Sequence, residues 1–169
     1  MNRKITAITL LLLAVALKGW SQSSVTGQAY AEVIAALSAY ENSQMNFGKF
    51  SPEVSGGQIV LTPDGVRSAQ GSVVLGGGTA QAGKFIITGQ ANATFTIQLP
   101  VGPSMLTNGS NNTMTIDNWV SNPPAGIGTG ILTGGTETVS IGATLTVGSF
   151  ENNPVGIYTG TYSLTFAYN

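Results

Sequence analysis

The chain has 169 residues, six of them basic and seven acidic, with no histidine and no cysteine. Those two absences exclude His-based triads, thiol chemistry and disulfides, and they deprive zinc and copper of their usual ligands. Charged residues make up only 8% of the chain, so polarity rests on Thr, Ser, Asn and Gly, which suits an all-β domain with uncharged outer faces.

In chain order, "MNRK" carries two positive charges and is followed by the apolar run Ile5–Leu17. That run is shorter than the ~20 residues a bilayer span needs. "GWS", Gly19–Ser21, then places small residues where a signal peptidase reads, so residues 1–21 are expected to form a secretory signal peptide cut before Gln22. The rival reading is a short membrane anchor. No cysteine is present to carry a lipid, so the product is expected to be released, with no membrane span after the leader is removed. Taking 21 residues from 169 leaves 148, the size of one domain. Its three cations, Lys49, Arg67 and Lys84, face all seven acids for a net charge of −4. Nucleic acid and anionic lipid both require clustered Lys and Arg, so neither is an expected partner.

Residues 22–31, "QSSVTGQAYA", are uncharged and put small apolar side chains at alternate positions: Val25, Ala29 and Ala31, then Val33 beyond them. Such an extension can dock as a strand on an exposed sheet edge, fold back on its own domain, or stay ragged. Burying four or five such side chains gives roughly 4–10 kcal/mol, and ordering ten residues costs on the order of 10 kcal/mol. Ladder hydrogen bonds would have to supply the surplus.

Residues 32–169 read as the folded domain. Short alternating runs recur at Glu32–Tyr40, Met45–Phe50, Gln58–Leu61, Gly71–Leu75, Lys84–Gly89, Ala93–Leu99, Met114–Ser121, Gly130–Thr133, Thr138–Val147 and Gly156–Tyr168. Turn formers such as "TPDG", "NGSNN", "SNPPAG" and "ENNP" separate them, a spacing that points to a β-sandwich. Glu32–Tyr40 lies in the one helix-friendly stretch, but its period of two favours a strand. In the last run Tyr158, Tyr162, Leu164, Phe166 and Tyr168 share one face, with Gly160 as a gap, while Thr159, Thr161, Ser163 and Thr165 share the other. It carries no Lys, Pro or bulge to protect it as an edge, so it expects a neighbour on both sides.

Chemistry is sparse. The acids Glu32, Glu41, Glu53, Asp64, Asp117, Glu137 and Glu151 are scattered, and solvated surface acids are the expected reading. "TPDG" is read as a tight turn rather than a calcium loop. "AGIGTGILTGG", Ala125–Gly135, lacks the spacing of a phosphate loop and reads as a flexible hairpin or loop. Trp119 is expected in the core with its N–H on a carbonyl. No catalytic, metal or cofactor site is expected.

"MNFGKFSP", "GVRSAQGSVVL", "AGKFIITGQANATFTIQLP", "VSIGATLTVGS" and "GIYTGTYSLTFAYN", in that order, resemble the secreted bacterial domains of the DUF4402 family over roughly Val25–Asn169. They are more distantly similar to spore coat protein U domains and to the pilins of archaic chaperone–usher pili. The resemblance implies an immunoglobulin-like sandwich and, in the pilin relatives, a domain that lacks one strand and receives it from the next subunit. The expectation is therefore a non-enzymatic, pilin-like structural subunit of the bacterial cell surface. Its donor strand is the extension through Val25, Ala29, Ala31 and Val33. Its acceptor wall is the last strand through Tyr158, Tyr162, Leu164, Phe166 and Tyr168. The implied partners are further copies or related surface subunits, with a periplasmic chaperone. The alternative is a self-contained sandwich that binds glycan or host matrix through loops such as Asn108–Thr113 and Ser121–Gly130.

Overall fold

The computed structural model describes residues 22–169, so the leader expected at residues 1–21 lies outside the described residues. The chain divides into two units, Met1–Val33 and Ile34–Asn169. In the first, residues 22–33 form no ladder and expose their side chains, and the Tyr30 hydroxyl donates to Glu32 at 3.3 Å.

The second unit is all-β. Its strands are β1 (Ser38–Ser43), β2 (Phe50–Leu61), β3 (Arg67–Leu75), β4 (Gly83–Thr88), β5 (Thr94–Gln98), β6 (Ser104–Thr107), β7 (Thr113–Asn122), β8 (Gly126–Ile131), β9 (Thr136–Val147) and β10 (Thr165–Tyr168). A single 3-10 turn occupies Thr133–Gly135. No helix among the described residues is long and apolar enough to cross a membrane.

The strands form two antiparallel sheets. The larger runs β1-β4-β9-β2-β3 with β7 and β6 joined through β9, and the smaller runs β10-β5-β8. The strand β9 is the hub. Ile141 is opposite both Gly83 of β4 and Ser121 of β7, and Leu145 is opposite both Ile59 of β2 and Ile116 of β7. So β4 and β2 follow one another along one edge of β9 while β7 occupies the other. The sequence of β9 suits that place. Val139, Ile141, Ala143, Leu145 and Val147 alternate inward and are buried, and β-branched residues fit a pleated surface packed on one face.

The inward face of β9 serves two apolar clusters. Val139 and Ile141 join Ile87, Phe95, Ile97 and Leu132 beneath the smaller sheet. Ala143, Leu145 and Val147 join Ile59, Leu61, Val73, Met114 and Ile116. Trp119 is half-buried and touches both clusters, with its indole N–H donating to the Gly102 carbonyl at 3.2 Å. Arg67 acts as a clamp: its guanidinium donates to the carbonyls of Phe47 at 2.6 Å, Lys49 at 3.0 Å and Gly76 at 2.8 Å. "TPDG" forms the expected tight turn, with Gly65 N–H donating to the Thr62 carbonyl at 2.9 Å.

Several expectations are corrected. Of the strand expected at Met45–Phe50 only Phe50, the start of β2, is in a strand; before it Asn46 bridges to Gln81 and Lys49 bonds to Gly76 and Gly77. Gln58–Leu61 is the end of the longer β2, which bulges between Pro52 and Gly57. The strand expected at Gly130–Thr133 instead spans Gly126–Ile131 and pairs with β5, so most of Ala125–Gly135, expected as a flexible hairpin or loop, is strand followed by a 3-10 turn. The strand expected at Glu32–Tyr40 begins only at Ser38. Its partner β4 ends at Thr88, and the next amide in reach, Gln90 N–H, donates to the Tyr168 hydroxyl instead of a β1 carbonyl. The strand expected at Gly156–Tyr168 is broken because the chain changes sheets. Thr159 bridges to Thr107 of the larger sheet, and Thr165–Tyr168 pair with β5 of the smaller.

Gly142 lies where the end of β2 crosses close over β9. A Cβ there would meet the Leu61 carbonyl oxygen, with the Thr62 carbonyl carbon at 2.7 Å and Pro63 N at 2.8 Å. Backbone cannot swing aside as a side chain can, so Gly142→Ala is expected to cost about 3 kcal/mol of unfolding free energy. Urea denaturation of both proteins measures it. Removing the Arg67 clamp by Arg67→Ala, which takes a donor from three carbonyls while that of Lys49 keeps the Gly76 N–H, should cost roughly 1–3 kcal/mol in the same assay.

Candidate functional site

The segment 160–169, "GTYSLTFAYN", is where backbone pairing among the described residues is sparse. Its alternation holds in three dimensions: Tyr162, Leu164, Phe166 and Tyr168 are half-buried, while Thr161, Ser163, Thr165 and Ala167 are exposed. From Thr165 to Tyr168 one edge of the backbone pairs with β5. Alternate amides and carbonyls of such a strand face its other edge, and that edge has no ladder among the described residues. From Gly160 to Leu164, where the chain crosses between sheets, no backbone–backbone hydrogen bond is made at all among the described residues.

Across from this segment lies β1, the edge of the larger sheet. The two edges do not join. Between them runs a cleft of about 290 Å³, lined by Leu37, Ser38 and Ala39 on one wall and Leu164, Thr165 and Phe166 on the other. Thus two unpaired strand edges, one from each sheet, frame an apolar slot on the side of the sandwich.

Behind Phe166, the one aromatic residue lining the slot, lies an aromatic cluster. Phe166 packs edge-on against Phe95 with ring centres 6.2 Å apart, and lies 6.4 Å from Phe85. Tyr162 sits edge-on to Phe85 at 6.2 Å and leans on Trp119 at 4.8 Å. Such contacts hold the rings in place beyond what burial alone supplies. The Tyr162 hydroxyl has no hydrogen-bond partner among the described residues. Burial, with a smaller contribution from the negative charge of Glu41 on β1, pushes its pKa up to about 12.

One end of the slot is closed by Tyr168. Its hydroxyl donates to the Ala35 carbonyl at 2.9 Å and accepts from Gln90 N–H at 2.6 Å, while Ala35 N–H donates to the Gln90 side-chain carbonyl at 3.4 Å. The hydroxyl lies against Gly89, where any Cβ would collide with it. Beyond it Asn169 ties the chain end to β5, accepting from Thr96 at 2.6 Å and donating to Thr94 at 3.2 Å.

The structure therefore brings Tyr162, Leu164, Phe166 and Tyr168 together along one wall. Tyr158 stands apart: it packs on the other apolar cluster, and its hydroxyl donates to the Pro154 carbonyl at 3.0 Å. Val25, Ala29, Ala31 and Val33 are exposed and outside any ladder, with Val25 at 91% and Val33 at 97%. The facing wall, Leu37–Ala39 with Glu41, and the Gln90 contact were not singled out from the sequence as site residues. The only signal was the period-two face that carries Ala35 and Leu37. The loop Asn108–Thr113 is braced internally: Asn108 donates to Asn112 at 3.2 Å, Asn112 to the Asn152 carbonyl at 3.1 Å, and buried Asn153 to the Thr113 carbonyl at 2.8 Å. No group of three or more His, Cys, Asp or Glu that could hold a metal occurs among the described residues.

A family model described as "Domain of unknown function (DUF4402)" matches residues 37–168. No curated protein and no solved structure matches the chain.

A phenol whose pKa is raised above its unfolded value of 10.0 to about 12 contributes stability that is whole below pH 10. That contribution is lost as pH climbs from 10 through 12. Spectrophotometric titration should show one tyrosine ionising near pH 12 that vanishes in Tyr162→Phe. The substitution removes a hydroxyl without a partner, so its stability at neutral pH should stay within about 1 kcal/mol of the parent or exceed it.

Proposed function

Because the chain belongs to the DUF4402 family, whose description assigns no activity, its role is read from its own geometry, and we propose that it is a non-enzymatic, secreted structural protein of the bacterial cell surface. On this reading it is a pilin-like subunit that assembles by β-strand addition. The observation that carries it is the run Gly160–Leu164, half-buried on one face yet without a backbone–backbone hydrogen bond among the described residues, beside an apolar cleft one wall of which is a second sheet edge. An added strand supplies partners to both edges at once.

The donor is residues 22–31 of another copy or of a related subunit. The segment is uncharged and already outside any ladder, and its alternating small side chains suit a slot lined by Leu37, Leu164 and Phe166. Energetics support this division of labour. A seven- to ten-residue strand gains roughly 0.5–1.5 kcal/mol per ladder bond, and its apolar side chains add roughly 4–10 kcal/mol. At the middle of these ranges the two together exceed the order of 10 kcal/mol that ordering the strand costs, whereas either alone does not.

Native assemblies run on SDS gels without boiling should form ladders, and deleting Gln22–Ala31 should abolish them. Ladders that persist in the deletion variant rule out this donor. By hydrogen exchange, the amides of Gly160–Leu164 should exchange freely in the isolated chain and become protected at least tenfold on assembly. Full protection in the isolated chain rules out the open seam.

A further inference from the structure

The two walls of the seam lie across from one another although they do not touch through their backbones. Ala35 faces Tyr168 through the hydroxyl contact, Leu37–Ala39 face Leu164–Phe166 across the cleft, and the charge of Glu41 is felt by Tyr162. Along the two walls the chain runs in opposite senses, from Ala35 beside Tyr168 to Leu37–Ala39 across from Leu164–Phe166. The walls are thus antiparallel, and any strand lying between them runs parallel to one and antiparallel to the other.

Among the described residues, one hydrogen bond joins the two walls: the bond from the Tyr168 hydroxyl to the Ala35 carbonyl. The phenol side chain reaches from the edge of the smaller sheet to the end of the β1–β4 ladder. There it also receives the Gln90 amide and sits in the space that Gly89 leaves by having no Cβ. It occupies the place where the next ladder bond of β1 with β4 would form. The slot is therefore blocked at its Ala35 end and open past Ala39 and Leu164, where no hydrogen bond joins the two walls among the described residues.

We propose that Tyr168 is the end-stop of the seam, a specificity-determining residue that fixes how far an inserted strand runs and therefore its register. This rests on the strand-addition reading. Beyond the strut the cleft is lined by three residues on each wall, 37–39 against 164–166, or about 10 Å of strand at ~3.3 Å per residue. A longer donor projects from the open end, not past Tyr168. A slip by one residue would turn every donor side chain to the wrong face, so permitted slips come in twos. Removing the stop frees the donor to advance by two residues toward Ala35.

The chain has no cysteine, so the register can be trapped by disulfides without background. In the full chain carrying Thr165→Cys, an exposed position on β10, peptides spanning Gln22–Val33 with a single cysteine walked along them are added in excess under oxidising conditions. The expected result is one preferred cross-linking position, favoured about tenfold over the next same-face position. Adding Tyr168→Ala should move the maximum by two residues or spread it over both positions. Tyr168→Phe keeps the ring, loses both hydroxyl bonds, and should reduce the tenfold preference even if the alanine variant does not fold. An unchanged single maximum in folded Tyr168→Ala, or in Tyr168→Phe where the alanine variant does not fold, overturns the end-stop and leaves strand addition standing. Cross-linking at no position in the parent overturns both.

Discussion

A backbone amide or carbonyl that leaves water must find a partner, and this fold meets that demand very unevenly. The strand β9 meets it on both edges, with β4 and β2 in succession on one side and β7 on the other, so it unites the larger sheet and floors both apolar clusters. Gly160–Leu164 is the opposite case: extended and half-buried, it makes no backbone–backbone hydrogen bond among the described residues. Both conditions trace to topology. The hub strand lies between partners, while the last segment leaves one sheet at Thr159 and reaches the other only at Thr165.

That crossing would be a weakness were the inner faces not so well filled. Tyr162 and Phe166 are gripped by Trp119, Phe85 and Phe95, so the segment is held by its side chains while its backbone remains unclaimed. Apolar packing is indifferent to which backbone partner is present, and hydrogen bonds are not. An edge fixed in this way is preorganised, and an added strand would require little further ordering on its side.

The two tyrosines of the seam show how position decides the use of the same group. Tyr168 reaches the opposite sheet and satisfies two backbone groups that β1 and β4 leave at their ends. Tyr162 buries its hydroxyl among rings with no partner among the described residues, which the lost solvation registers as a phenol reluctant to ionise. One hydroxyl terminates a strand; the other only lines a wall. The slot carries little charge beyond Glu41, in keeping with a chain that holds eight charged residues in every hundred.

Much of this was legible in the sequence because a period of two in β-branched and aromatic residues has one physical cause, a pleated strand with one face buried. Thr138–Val147 and the alternation from Tyr162 to Tyr168 were recognisable for that reason, as were the "TPDG" turn and the Trp119 contact. What the sequence could not decide was pairing. Whether an extended segment has a ladder depends on which backbone lies 4.7–4.9 Å to its side, and that is set by residues far away. So Leu37 carried the signature of a strand interior but stands just outside β1, where Tyr168 takes the amide that would have continued the ladder. Likewise one alternating run, Gly156–Tyr168, turned out to serve two sheets with a gap between them. Alternation reports which way side chains point, and a chain keeps it while crossing from sheet to sheet. Only the tertiary arrangement determines whether the backbone between those side chains has anything to hold.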